Sequence, residues 1–258
     1  MNLTFENLSA AYGKHTALQD ISLEIPQGSL IAVAGCNGAG KSTLLHCLTG
    51  IKKDYRGTIY ADGKDIRHLS IQELSQKISF LPQTLPLPHV TVWELVCFGR
   101  CPYISFFGKP GKADEEKIRW AIDTVGLTAC QDAFVDTLSG GQRKKAFFAM
   151  ILAQDTPVVA LDEPTAHLDA KSRFEFLTLI DSLCKSTGKT FLLVMHNLPD
   201  ILQYTKRILV LSDCQIVFDG TPDACLQDRI PQRYFGIEIR GAVQDGYAVL
   251  PINQNVTD

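Results

Sequence analysis

Gly35-Cys36-Asn37-Gly38-Ala39-Gly40-Lys41-Ser42-Thr43 places three glycines, a lysine and two hydroxyls at the spacing of a phosphate-binding loop. Gly35, Gly38 and Gly40 let backbone amides come close to phosphate oxygens, and a helix starting behind them adds a favourable dipole. Lys41 is expected to reach the β- and γ-phosphates and Ser42 to bind Mg²⁺, with Asn37 and Thr43 completing the loop's contacts. A second candidate is Asp162-Glu163, at the end of the apolar run 157–161. Acidic residues at the carboxyl end of a parallel strand face the crevice where ligands bind in such sheets. Asp162 is placed to hold Mg²⁺ through water, and Glu163 to polarise an attacking water as general base. Alone, Asp162-Glu163-Pro164 could simply cap the helix that follows; the phosphate loop favours catalysis. The third motif is Leu138-Ser139-Gly140-Gly141-Gln142, ahead of a helix expected over 143–153. Ser139 would cap that helix, and the exposed amides around Gly140, Gly141 and Gln142 would form a second anion site. Two such sites in one chain suit a head-to-tail pair of copies, each closing the other's phosphate loop.

These residues need a scaffold that brings distant segments together. Leu30-Ile31-Ala32-Val33-Ala34 stops at the glycine-rich loop, and a helix is expected over 43–48. Similar apolar runs at 157–161, 191–195 and 208–211, separated by helical patterns, predict a parallel sheet covered on both faces. Short strands are expected at 3–5 and 21–25, the second closed by Pro26-Gln27-Gly28. Between 86 and 153 the pattern turns amphipathic and helical. At the end of the chain, 237–239 and 248–250 flank Asp245-Gly246, which favours a hairpin. The expected organisation is therefore an α/β nucleotide-binding core over 1–85 and 154–235, an inserted helical subdomain over 86–153 and a hairpin tail over 236–258.

The 258 residues are 45% hydrophobic and 21% charged, the balance of a globular protein with a large core. The formal charge of −3, with no block of basic residues, gives a nucleic-acid partner no support. No apolar run reaches the roughly 18 residues needed to cross a bilayer, and Met1-Asn2-Leu3-Thr4-Phe5-Glu6 does not read as a signal peptide. The eight cysteines lack metal-site spacing and read as free thiols of a reducing compartment.

Taken in order along the chain, the phosphate loop, Gln83, the Leu138–Gln142 signature, Asp162-Glu163, Asp169 and His196 resemble the ABC ATPase family. The resemblance implies a RecA-like core, mainly parallel, with an antiparallel N-terminal β subdomain and an inserted helical signature subdomain. It also implies ATP and Mg²⁺ as ligands and a second copy of the chain as partner. Integral-membrane permease subunits and, indirectly, an extracytoplasmic substrate-binding protein would complete a system at the cytoplasmic face of the cell membrane. Carried over residue by residue, Gln83 contacts Mg²⁺ and the attacking water, and His196 contacts the γ-phosphate and orients that water. Tyr12 stacks on adenine, and Asp169 ends the loop at the dimer seam. A narrower resemblance, in Val90–Val96, Gly99-Arg100, Pro102-Tyr103 and 146–157, points to importers of iron-siderophores, haem and cobalamin. Asn197, His167 and the pair Lys144-Lys145 depart from that pattern; the family more usually has glutamine and arginine at 144 and 145.

ABC ATPases that act on DNA carry a long coiled-coil insertion, and those of the ribosome fuse two cassettes; neither feature is present. A phosphoryl-transferring kinase leaves Leu138–Gln142 unexplained. Import of a bare metal ion remains open as another cargo.

Overall fold

The computed structural model describes residues 1–105, 108–240 and 248–251. Two strands, β1 (Leu3–Tyr12) and β2 (His15–Ile25), form a hairpin closed by Gly13-Lys14, with Tyr12 opposite His15. Both are longer than the short runs predicted, because bulges along β1 keep the pairing going past each break in the hydrophobic alternation. Next come β3 (Leu30–Gly35), α1 (Lys41–Leu48), β4 (Arg56–Ala61), β5 (Lys64–Asp65), α2 (Ile71–Ser75) and β6 (Ile78–Leu81). A helical stretch follows, with α3 (Val92–Cys97), α4 (Lys112–Thr124) and α5 (Gly140–Ala153). The chain then alternates β7 (Val158–Asp162), α6 (Ala170–Thr187), β8 (Thr190–Val194), α7 (Leu198–Tyr204), β9 (Arg207–Ser212) and β10 (Gln215–Gly220). It ends with α8 (Pro222–Gln227), α9 (Ile230–Phe235), β11 (Ile237–Arg240) and β12 (Ala248–Pro251).

The central sheet has the order β10-β9-β3-β8-β7-β6, parallel except for the β10 edge. Its inner strands β3, β8 and β7 are almost wholly apolar because both faces are covered. Ala32, Ala34, Val159, Leu161, Phe191 and Leu193 point into a core shared with α3–α7. Their neighbours Ile31, Val33, Val158, Ala160, Leu192 and Val194 point into a second core under α1 and the antiparallel sheet β2-β1-β4-β5. Strands β4 and β10 escaped the sequence reading because they are half-buried. β6, only four residues long, carries the polar but fully covered Ser79.

One consequence of the strand order matters for chemistry. The carboxyl ends of β3, β8, β7 and β6 lie side by side, so Gly35, His196, Asp162 and Gln83 leave the same edge of the sheet. The β11–β12 pairing matches the expected hairpin strands, while its turn at Asp245-Gly246 lies outside the described residues. No described helix is long and apolar enough to cross a membrane.

Candidate active site

Two of the loop glycines are there for steric reasons. Gly40 has φ +99°, and a Cβ on it would come within 2.2 Å of the Ala17 carbonyl oxygen. Gly38, at φ +82°, has open space where a Cβ would sit, room that a phosphate can use. Lys41 begins α1, two residues earlier than the sequence suggested, since the glycine turn itself supplies the helix entry. Its ammonium donates to the carbonyls of Gly35 at 2.8 Å and Cys36 at 2.9 Å. Burial lowers the Lys41 pKa, with Glu163, Cys36 and Asp162 acting in the opposite direction.

The loop floors a cleft of about 420 Å³ whose walls include Tyr12, Asn37, Ser42, Thr43, Gln83 and Glu163. Tyr12 stands at the hairpin tip, 51% exposed, with the Lys52 ammonium 4.4 Å from its ring centroid. A half-open aromatic ring at the mouth of a phosphate cleft suits stacking of a nucleobase. Sequence reasoning missed Lys52, which sits in the irregular segment between α1 and β4 with no motif around it.

Glu163 is the hub of the cleft. Its Oε2 accepts a hydrogen bond from Gln83 Nε2 at 2.8 Å, and His196 Nδ1 stands 3.7 Å from the same oxygen. Its backbone holds φ +48°, a left-handed conformation that a non-glycine residue keeps only when its surroundings enforce it. One such constraint is the bond from its own amide to the Val194 carbonyl. The sequence-predicted Gln83, Glu163 and His196 therefore converge on one carboxylate.

Asp162 lies behind them, 5% exposed, with Oδ1 buried and unpartnered. Burial raises its pKa, partly offset by a hydrogen bond from Ser42. An orphaned carboxylate oxygen beside a serine hydroxyl fits a hard divalent cation, so Ser42 and Asp162 are the residues that would hold Mg²⁺.

Ser139, Gly140, Gly141, Gln142 and Asp169 do not line this cleft. Ser139 caps α5, its Oγ accepting from the Gln142 amide while Gln142 Oε1 accepts from the Ser139 amide. That reciprocal box starts the helix at Gly140, three residues before the sequence-predicted position. Gly140 is open around its Cα, and Asp169 caps α6 nearby, with Leu168 and Ser172 facing Gly141. The exposed α5 N-terminus thus presents its amides outside the cleft lining, the chemistry that suits an anion.

A family model described as ABC transporter matches residues 18–166, which span the loop, the signature and the Asp162-Glu163 pair. The chain belongs to the ABC transporter family. It is 37% identical over 233 residues to the ferric enterobactin transport ATP-binding protein FepC of Escherichia coli (strain K12), covering 90% of this chain and 86% of FepC. Iron(3+)-hydroxamate import ATP-binding protein FhuC of Bacillus subtilis (strain 168) is 34% identical, over 92% of this chain and 88% of FhuC. A solved ABC transporter in an inward-facing conformation, assigned to the metal-chelate type, superposes with a TM-score of 0.83 at 26% identity over 98% of both chains. The protein is an ABC ATPase that binds ATP and hydrolyses it, on the RecA-like fold the sequence predicted.

This ABC ATPase also holds a contact the motifs did not announce. Lys144, in the first turns of the signature helix, is buried and donates to the carbonyls of Glu163 and Ala166. The sequence signalled it only as a departure from the family's usual glutamine.

Proposed function

We propose that this chain powers uptake of an iron chelate of the siderophore type, as one of two identical ATPase subunits at the cytoplasmic face of the cell membrane. The observation that carries the dimeric part is the separation of the α5 N-terminus from the cleft. A helix N-terminus that does not line its own copy's phosphate cleft can serve a nucleotide when a second copy presents it. Each ATP then lies between one copy's Lys41 loop and the other's Ser139 signature, with Asp169 near the seam.

The chain's own groups divide the work. The loop amides and Lys41 hold the phosphates, and Tyr12 carries the base. Glu163 takes the proton of the attacking water, oriented by Gln83 and His196. Mg²⁺, held by Ser42 and Asp162, would neutralise charge developing on the phosphates.

The importer part is supported by the relatives' names and by an apolar groove on the helical stretch that follows the Gln83 segment. This groove, of about 740 Å³, runs between α2 and the turn 98–103, where Ile71, Phe98, Pro102 and Ile104 line it. Ile71 is 76% exposed and Phe98 54%. Such a groove suits the apolar face of a short amphipathic helix from a permease subunit. The test is affinity capture of the chain from detergent-solubilised native membranes, then transport assays of the recovered complex in proteoliposomes. Co-purification of a multi-helix permease and uptake of ferric catecholate or hydroxamate chelates are expected. Recovery with ribosomal or DNA-bound partners and no permease would overturn the importer reading, and uptake of haem, cobalamin or a bare metal ion instead would overturn the cargo.

A further inference from the structure

Lys144 is a cation in a place that ordinary folding physics disfavours. It is 8% exposed, and no carboxylate pairs with its ammonium among the described residues. A buried, unpaired ammonium costs several kcal/mol unless its donors are satisfied. An apolar side chain would fill the same space at lower cost, so a buried lysine here needs a reason.

Its donors go to one short turn. Nζ donates at 3.2 Å to the Glu163 carbonyl and at 2.9 Å to the Ala166 carbonyl. The Ala166 amide donates to the same Glu163 carbonyl at 3.1 Å, so the lysine closes a turn that is already looped on itself. Left-handed non-glycine residues flank that turn, Glu163 at φ +48° and His167 at φ +63°. Conformations of this kind are strained and relax when nothing holds them. Burial accordingly lowers the Lys144 pKa to about 8, with Glu163 as the only counteracting charge.

At its other end, Lys144 belongs to the helix whose N-terminus is the signature, about one turn from Ser139. We propose that Lys144 is a positioning residue that clips the signature helix to the turn bearing Glu163, so that engagement of the signature by the partner copy's nucleotide sets the placement of this copy's Glu163. The inference rests on the proposed roles of Glu163 and of the Ser139 signature. The clip orients Glu163 through its backbone and leaves the carboxylate free for Gln83 and His196. It couples the two nucleotide sites of the dimer through one rigid helix, without a chain of weak contacts.

The test is steady-state ATP hydrolysis by the full-length chain carrying Lys144→Met, which keeps the stem but removes the donors, and Lys144→Gln, which restores a donor. A misplaced catalytic group typically costs one to two orders of magnitude in rate, so Lys144→Met should lower kcat by about tenfold or more with KM for ATP nearly unchanged. Lys144→Gln should recover most of that rate. Wild-type kcat in Lys144→Met would overturn the clip, and so would an equal loss in both variants accompanied by a matching fall in thermal stability. Should Lys144→Met fail to fold, Lys144→Ser, too short to reach either carbonyl, takes its place under the same criteria. Glu163→Gln is assayed in parallel: wild-type turnover there sinks the reading of Glu163 itself, whereas an inactive Glu163→Gln beside a fully active Lys144→Met sinks only the clip.

Discussion

Asp162 sits in a fold that opposes its ionisation: it is buried, one oxygen has no partner, and burial raises its pKa above the usual carboxylate range. For a carboxyl with a raised folded-state pKa, the cost to stability is absent below the unfolded pKa. It grows as pH rises from the unfolded value to the folded one, and the metal-free protein bears it in full above the folded value. Asp162→Asn should therefore raise Tm of the metal-free chain, by about 2–4 °C for each 1 kcal/mol recovered, while Mg²⁺-dependent ATP hydrolysis is lost. Calorimetry of both proteins without Mg²⁺ checks the first half, and a lower Tm in the variant would contradict it. Residue types and spacing made most of this site legible: the loop, Asp162-Glu163 and the signature each carry their chemistry in the sequence. Gln83 and His196 were legible only through the family pattern, because a lone glutamine and a lone histidine after a strand say nothing by themselves. Lys144 was not legible as a site residue, since its role depends on two backbone carbonyls far along the chain.

At the scale of elements, the apolar runs announced their strands because a parallel strand covered on both faces needs an unbroken row of hydrophobic side chains. Boundaries were harder. Helices α1 and α5 begin at Lys41 and Gly140, inside glycine-rich segments that propensity alone would leave as loop; tertiary packing and the Ser139–Gln142 box override it. Strands β4 and β10 were missed because half-buried strands lack the continuous pattern. The groove between α2 and the turn 98–103 also belongs to this scale, since it exists only where two elements meet. Phe98 is exposed and makes no contact with the cleft, so Phe98→Asp should leave stability and ATP hydrolysis by the isolated chain within about twofold of wild type. The same variant should no longer co-purify with a permease. Retained co-purification would remove this groove from the docking surface.

The whole molecule explains why these parts work as a unit. One edge of one sheet carries the phosphate loop, the Asp162-Glu163 pair, Gln83 and His196, while the Ser139 signature stands outside the cleft lining, on a helix bonded through Lys144 to the Glu163 turn. In the proposed dimer each copy contributes a hydrolytic cleft and, at its α5 N-terminus, the lid for the other. Sequence order hinted at this pairing through two helix N-termini with exposed amides, and in the three-dimensional arrangement the Ser139 signature is not part of the lining of its own copy's cleft. The most direct measurement of that claim is the molar mass of Glu163→Gln by size-exclusion chromatography with light scattering, with and without Mg²⁺ and ATP. The account predicts a monomer without nucleotide and a stable dimer retaining two ATP with it, a dimer that the further change Ser139→Arg abolishes. A Glu163→Gln protein that stays monomeric with ATP bound, or hydrolyses it at the wild-type rate, would contradict it.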